Sequence, residues 1–219
     1  MEINILFEDS DILVVDKPAG ISVLPDGWDK SSPFLTKLLE ASFHRLWVVH
    51  RLDKITSGIL LFARNATSHR SLSIQFEQHL VTKIYHAIFN GVPDWSIKRS
   101  SQPLRQNSGH SHHTVVDWTN GKKALTNFHV LQTIKGYSLV EASPETGRTH
   151  QIRAHAAALG YPILADRLYG ALPTEIISRP ALHAMNLRIL HPTSGLVIDF
   201  SAPYPADFLN ALIKLQFLS

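Results

Sequence analysis

A nine-residue segment from His50 to Gly58 places three charged residues between two apolar runs. It reads His-Arg-Leu-Asp-Lys-Ile-Thr-Ser-Gly, with Trp-Val-Val before it and Ile-Leu-Leu-Phe-Ala after it. The flanking runs are typical of buried strands, which tolerate such charges only where they are paired or face a cleft. Side chains alternate along an extended backbone, so Arg51 and Asp53 should emerge on one side while Leu52 points into the core. The segment therefore predicts a strand–turn–strand unit with a carboxylate at the rim of a sheet.

The composition is that of an ordinary globular protein. Of the 219 residues, 44% are hydrophobic and 18% are charged, and we expect one domain over residues 1–219. The chain has no cysteine, which excludes disulfides and thiolate metal sites, and no apolar run of membrane-spanning length. Its N-terminus is not typical of a signal peptide, so we expect a cytoplasmic enzyme without a membrane partner. A formal net charge of +3 permits a nucleic-acid partner without identifying one.

Hydrophobic periodicity predicts strands and helices interspersed along the chain. The predicted helices cover 33–43, 66–77, 149–159 and 205–218. The predicted strands cover 12–15, 46–63 (with the turn inside), 83–91, 114–116, 124–130, 137–142, 187–190 and 196–200. Asn120-Gly121 indicates a hairpin turn, and residues 94–112 are polar and aperiodic, which predicts a mobile loop. These elements favour an α+β fold around a largely antiparallel sheet.

A second polar cluster, residues 147–155, reads Gly-Arg-Thr-His-Gln-Ile-Arg-Ala-His. In a helix that begins at Thr149, His150 and Arg153 share one stripe. Arg153 then projects from the first turns, where the helix dipole also favours an anion. The alternative is a solvated basic helix end without a ligand.

Three segments together resemble the RluA-type RNA pseudouridine synthases. The His50–Gly58 segment resembles the family signature whose Asp is catalytic, and residues 147–155 resemble the family motif whose second Arg pairs with that Asp. Lys83-Ile84-Tyr85 resembles the family strand whose Tyr lies in the active site. The resemblance runs from residue 11 to about 208 and omits the S4-type RNA-binding domain of some relatives. It implies the pseudouridine synthase fold, a mixed sheet with flanking helices and a central active-site cleft.

The resemblance implies catalytic roles for Asp53, Tyr85 and Arg153, with Arg153 as the partner of Asp53. We expect Arg51, Arg148, His150 and Thr56 to bind the substrate or support the turn. Val15–Gly20, Gly121–Thr126 and Asp166–Gly170 match further family segments, although Ala165 stands where the family has Gly. That departure should affect the backbone and leave the chemistry intact.

The implied reaction is isomerisation of uridine to pseudouridine in ribosomal RNA, transfer RNA or both, by a monomer without an obligate protein partner. No cofactor and no metal are expected, because His110, His112 and His113 lie in a loop-like segment without ligand spacing. Two alternatives stay open. A glycosidic-bond hydrolase would normally need a second carboxylate, which no motif supplies. A non-catalytic RNA-binding module would have no use for a buried acid near phosphates.

Overall fold

The computed structural model describes residues 3–25, 32–106 and 113–218. The strands in these ranges are β1 Asn4–Glu8, β2 Ile12–Lys17, β3 Trp47–Val48, β4 Ser57–Ala63, β5 Thr82–Asn90, β6 Ile97–Ser100, β7 Leu104–Gln106, β8 Thr114–Val116, β9 Thr126–Ile134, β10 Tyr137–Pro144, β11 Leu182–Leu190 and β12 Val197–Ser201. The helices are α1 Leu35–Phe43, α2 Ala66–Glu77, α3 Gln151–Ala158 and α4 Ala206–Lys214, with a short 3-10 helix Arg167–Tyr169. Across these same ranges, no helix has both the length and the apolar character needed to cross a bilayer.

The chain divides into two compact units. The first comprises Met1–Thr82 and Ala184–Pro203, and the second comprises Lys83–His183 and Tyr204–Ser219. Both contain strands and helices, so the α+β class predicted from the sequence is confirmed. A single catalytic domain over the whole chain stays a prediction.

In the first unit the strand order is β1-β2-β4-β11, with β3 paired to β4 and β12 paired to β11. The pairings β1–β2, β2–β4, β3–β4 and β11–β12 are antiparallel, as expected. Strand β4 is buried at every position. One of its faces packs, with Leu72 of α2, into the core of this unit. Burial on both faces explains the unbroken apolar run after Gly58.

In the second unit the strand order is β5-β10-β9-β6, and β7 pairs separately with β8. All of these pairings are antiparallel. The core lies between this sheet and the helices α3 and α4, to which Ile152 and Phe208 belong. A bidentate ion pair between Arg179 and Asp207, with distances of 2.6 and 2.9 Å, ties the start of α4 to the segment before β11.

Two predictions for the region before residue 130 were wrong. Residues 94–112 are not a continuous loop, because β6 and β7 lie within them, and residues 107–112 lie outside the described residues. The strands on either side of Asn120-Gly121 do not form a hairpin with each other. Instead β8 pairs with β7, and β9 pairs with β6 and β10.

Three helices are shorter than predicted, and the first of them, α1, begins at Leu35 rather than at residue 33. Helix α4 ends at Lys214, and α3 begins at Gln151 rather than Thr149. His150 has a left-handed φ of 53° and precedes the first helical turn. The predicted stripe shared by His150 and Arg153 is therefore wrong, because His150 is not part of the helix.

Candidate active site

Asp53 lies in the turn between β3 and β4 of the first unit. The backbone N–H of Thr56 donates to the Asp53 carbonyl at 3.0 Å, which closes the turn. Leu52 is buried, Arg51 is exposed and Asp53 is partly exposed. This agrees with the alternation expected from the sequence and leaves the carboxylate accessible. Thr56 is itself buried, so a supporting role in the turn suits it better than contact with a substrate.

The His50 ring fixes the start of this turn. Its Nε2 accepts a hydrogen bond from the backbone N–H of Leu61 at 3.0 Å, and the ring stacks on Phe76 with centroids 4.8 Å apart. Since β3 ends at Val48, the imidazole replaces a strand partner for β4. A neutral ring that accepts at Nε2 carries its proton at Nδ1. His50 opens the sequence motif, but its role in the turn could not be predicted from the sequence.

Lys17 holds the backbone just after Asp53. Its side chain is completely buried, and its ammonium donates to the carbonyls of Pro18 at 2.8 Å and Lys54 at 3.2 Å. The N–H of Gly20 donates to the same Lys54 carbonyl at 2.7 Å. A buried ammonium is stable only with such acceptors. The family-like segment Val15–Gly20 therefore has a structural role that the sequence pattern did not reveal, which is to position the turn that carries Asp53.

Gly58 begins the buried part of β4 at a position that has no room for a side chain. Its φ is +109°, and an added Cβ would lie 2.2 Å from the carbonyl oxygen of Ala184. Both the conformation and the contact therefore require glycine.

We expect Gly58→Ala to lower the free energy of unfolding by about 2–5 kcal/mol, through backbone strain and overpacking. Urea denaturation measures the loss. Gly195→Ala is the matched control, since Gly195 has a φ of +68° with no atom within 4 Å of its added Cβ. Equal losses in the two variants would show that the contact with Ala184 is unimportant.

In the second unit, Arg153 projects from α3 into a buried ion pair with Asp166. Its Nε and Nη2 donate to the two carboxylate oxygens at 2.6 and 2.8 Å, and the side chains are 3% and 1% exposed. The guanidinium carbon lies 4.9 Å from the centroid of the Tyr169 ring. Bidentate and stacked contacts leave the guanidinium little freedom. The predicted pairing of Arg153 with Asp53 stays a prediction. The pairing of Arg153 with Asp166 was not predicted from the sequence.

Tyr169 links this ion pair to the segment before α3. Its hydroxyl accepts from the Thr114 N–H at 2.8 Å and lies 3.1 Å from His150 Nδ1. Burial raises the pKa of Tyr169, so the phenol stays protonated.

Ala165 has a φ of +65°, a conformation that favours glycine. Ala165 therefore adopts a conformation that the family's Gly would favour, and the expected effect of this departure on the backbone stays a prediction.

Gln151 organises the start of α3. Its Oε1 accepts from Thr146 Oγ1 at 2.6 Å and from the Arg148 N–H at 3.0 Å. Its Nε2 donates to the Leu125 carbonyl at 2.8 Å and to Thr126 Oγ1 at 2.9 Å. The buried side-chain amide therefore makes all four of the hydrogen bonds that it can form. The exposed Arg148 side chain donates from Nε to the Lys123 carbonyl at 3.0 Å, which keeps it on the surface.

Tyr85 and Lys83 lie two residues apart on β5 and therefore on the same face. Tyr85 is opposite Ala142 of β10 and packs partly buried against the core of the second unit. Desolvation lowers the pKa of Lys83 to about 8, and its Nζ lies 3.4 Å from the Thr146 carbonyl. The Lys-x-Tyr pattern alone does not indicate this lowered pKa.

Asp9, Asp11 and His191 bring potential metal-ligand atoms within 4.8 Å of one another in the first unit. Hydrogen bonds already account for this arrangement. His191 Nε2 lies 2.9 Å from Asp9 Oδ2, and Ser68 Oγ donates to Asp11 Oδ1 at 2.7 Å. The His191 ring therefore joins the loop after β1 to the turn after β11.

Three other histidines were considered as metal ligands. His110 and His112 lie outside the described residues, and the His113 ring contacts Tyr169 edge-on.

Comparison with known proteins identifies the class. The model of the RNA pseudouridylate synthase family matches residues 11–158, a range that includes Asp53, Tyr85 and Arg153. The ribosomal large subunit pseudouridine synthase D of Zymomonas mobilis is 34% identical over 99% of this chain and 74% of its own length. An uncharacterised RNA pseudouridine synthase of the same organism is 42% identical over 94% of this chain and 96% of its own length.

The fold comparison agrees. The human RNA pseudouridylate synthase domain containing 1 superposes with a TM-score of 0.78 at 31% identity, over 93% of this chain and 84% of that one. Fold and sequence together define an RNA-modifying isomerase with the pseudouridine synthase fold. The chain belongs to the RluA-type family of RNA pseudouridine synthases, and its activity is the isomerisation of uridine to pseudouridine in RNA.

Proposed function

We propose that Asp53 is the catalytic carboxylate for pseudouridine formation in the RNA of the large ribosomal subunit. The observation that supports this most strongly is the construction of its turn. His50, which is partly buried, and Lys17, which is completely buried, hold the backbone before and after Asp53, while Asp53 itself stays partly exposed. A carboxylate held in this way is preorganised to meet a substrate.

The reaction places simple demands on the site. The N1–C1′ bond of uridine breaks, the uracil turns, and a C5–C1′ bond forms. The C5 hydrogen leaves as a proton and N1 gains one, so the reaction has no net oxidation or hydrolysis. Asp53 can attack C1′, add to C6 or remove the C2′ proton, and each path requires an ionised carboxylate.

The remaining site residues take supporting roles in this proposal. Arg153 is the proposed partner of the Asp53 carboxylate. Tyr85 offers a ring on which a flipped uracil can stack, and Arg51 fills the space that the base leaves. Arg148 and His150 contact the RNA backbone, and Thr56 supports the turn.

The proposed substrate follows from the name of a relative, the ribosomal large subunit pseudouridine synthase D. Transfer RNA is the second substrate class. We further propose a monomer in the cytoplasm that needs no cofactor and no obligate protein partner.

Chemical mapping of pseudouridine in total RNA, from cells with and without the gene, tests the substrate. We expect one or a few pseudouridines in large-subunit ribosomal RNA to disappear with the gene and to return with the wild-type chain. Loss confined to transfer RNA would replace the proposed substrate, and an unchanged map of both RNA classes would overturn it.

A further inference from the structure

The turn from Asp117 to Gly121 in the second unit presents a tryptophan to solvent. The Trp118 side chain is 75% exposed, the highest value among the large apolar residues in the described part of the chain. A single exposed apolar residue is ordinary. An exposed tryptophan is less common, because burial of its large ring against a partner contributes more binding free energy than burial of a smaller side chain. The proposed catalytic mechanism gives Trp118 no task.

Hydrogen bonds to Asp117 hold the turn in one conformation. Its Oδ1 accepts from the N–H groups of Thr119 at 3.0 Å and Asn120 at 2.8 Å. Its backbone carbonyl accepts from the Gly121 N–H at 2.9 Å. These bonds and the neighbouring Arg105 lower the pKa of Asp117. The backbone that carries Trp118 is therefore ordered before any partner binds.

The turn is also anchored to the segment that leads into β7. The Asp117 N–H donates to the Pro103 carbonyl at 2.9 Å, and Leu104 and Lys122 exchange two backbone hydrogen bonds at 2.8 and 2.9 Å. A Cβ on Gly121 would lie 2.2 Å from the Asp117 carbonyl oxygen, so the approach requires glycine. A rigid support lowers the conformational entropy that a contact through Trp118 would cost.

Positive charge surrounds this turn. Lys122 and Lys123 follow it directly, and the exposed Arg148 side chain donates to the Lys123 carbonyl. The nearby acids already have partners, since Asp117 pairs with Arg105 and Glu145 pairs with Arg99. Among the described residues no ion pair involves Lys122, Lys123 or Arg148. The local charge balance therefore favours an anionic partner.

We propose that the 117–123 segment is a single-stranded RNA contact, in which Trp118 stacks on an unpaired base while Lys122, Lys123 and Arg148 meet the flanking phosphates. An exposed aromatic ring beside uncompensated cations is the combination that single-stranded nucleic acid recognises. The inference rests on the proposed function for its choice of RNA as the partner. It adds a binding surface distant in sequence from the catalytic turn.

Binding of a single-stranded RNA of about 20 nucleotides tests the stacking contact. Trp118→Ala should raise the Kd by about 5- to 100-fold, the effect expected for the loss of one stacked base. Trp118→Phe should retain most of the affinity. Ile97→Ala is the matched control, since it removes another exposed apolar side chain (70%) of the same unit and should leave the Kd unchanged. A duplex of the same sequence should bind independently of Trp118.

The cations are tested by the dependence of binding on salt. Replacing both Lys122 and Lys123 with Gln should lower the slope of log K against log salt concentration by about 0.7 for each lost phosphate contact. This variant keeps the tryptophan and the turn, so it tests the surface even if Trp118→Ala perturbs folding.

Turnover separates this inference from the proposed function. Trp118→Ala should raise the KM for an unmodified large-subunit ribosomal RNA transcript while leaving kcat unchanged. If the wild-type chain formed no pseudouridine, the proposed function would fail while the binding measurement still decided the inference. RNA affinity and salt slope equal to wild type in both variants would overturn the inference.

Discussion

Replacing Asp53 with asparagine should abolish pseudouridine formation and lower kcat by at least about a thousand-fold. The amide keeps the size of the side chain but can neither attack carbon nor accept the substrate proton as a carboxylate does. Because Asp53 is partly exposed and the turn is held by its backbone, the variant should fold normally. Single-turnover assays with saturating RNA measure the effect.

Asp94→Asn is the matched control, the same chemical change at an exposed acid of the second unit. It should retain wild-type turnover. The RNA affinity of Asp53→Asn should stay within a few-fold of wild type, which separates catalysis from binding. Substantial residual turnover by a folded Asp53→Asn would remove Asp53 from the chemistry.

Asp166→Asn should destabilise the protein by about 3–5 kcal/mol, because it leaves the buried Arg153 charge without its bidentate partner. Turnover should fall as well, since Asp166 and Tyr169 orient the guanidinium. Chemical denaturation measures the first effect and single-turnover kinetics the second. Asp199→Asn is the control, because its ion pair with Arg188 is more than half exposed and should contribute about 1 kcal/mol or less.

A double variant separates the structural role of Arg153 from its proposed catalytic role. Arg153→Met combined with Asp166→Leu replaces the ion pair with apolar side chains, which often restores stability. We expect the free energy of unfolding to recover while turnover stays low. Recovery of both would show that the pair serves only the fold.

The sequence predicted elements well where local chemistry decides them. Helix α2 has the predicted bounds, Ala66–Glu77, and Asn65 caps it by accepting from the Ser68 N–H at 2.8 Å. The turn that carries Asp53 was predicted from the alternation of buried and charged residues between two strands. In both cases the signal lies in a short stretch of sequence.

The features that could not be predicted from the sequence depend on contacts between residues far apart in the chain. Strand β6 has a mostly exposed, polar sequence and is a strand because it pairs with β9. The ion pair between Arg153 and Asp166 depends on the path of the chain from the end of α3 back to Arg153. Hydrophobic periodicity does not predict that path. Lys17 is completely buried through contacts with a carbonyl 37 residues away. The role of Lys17 becomes visible only when the structure brings the turn after Lys17 next to the turn that contains Lys54.

The fate of the uracil tests the central claim most directly. RNA that carries tritium at C5 of uridine should release it to water as the C5–C1′ bond forms, in a one-to-one ratio with pseudouridine. No free uracil should appear, and Asp53→Asn should release no tritium. Release of free uracil would instead show hydrolysis of the glycosidic bond, and it would contradict the assignment of this chain as an isomerase.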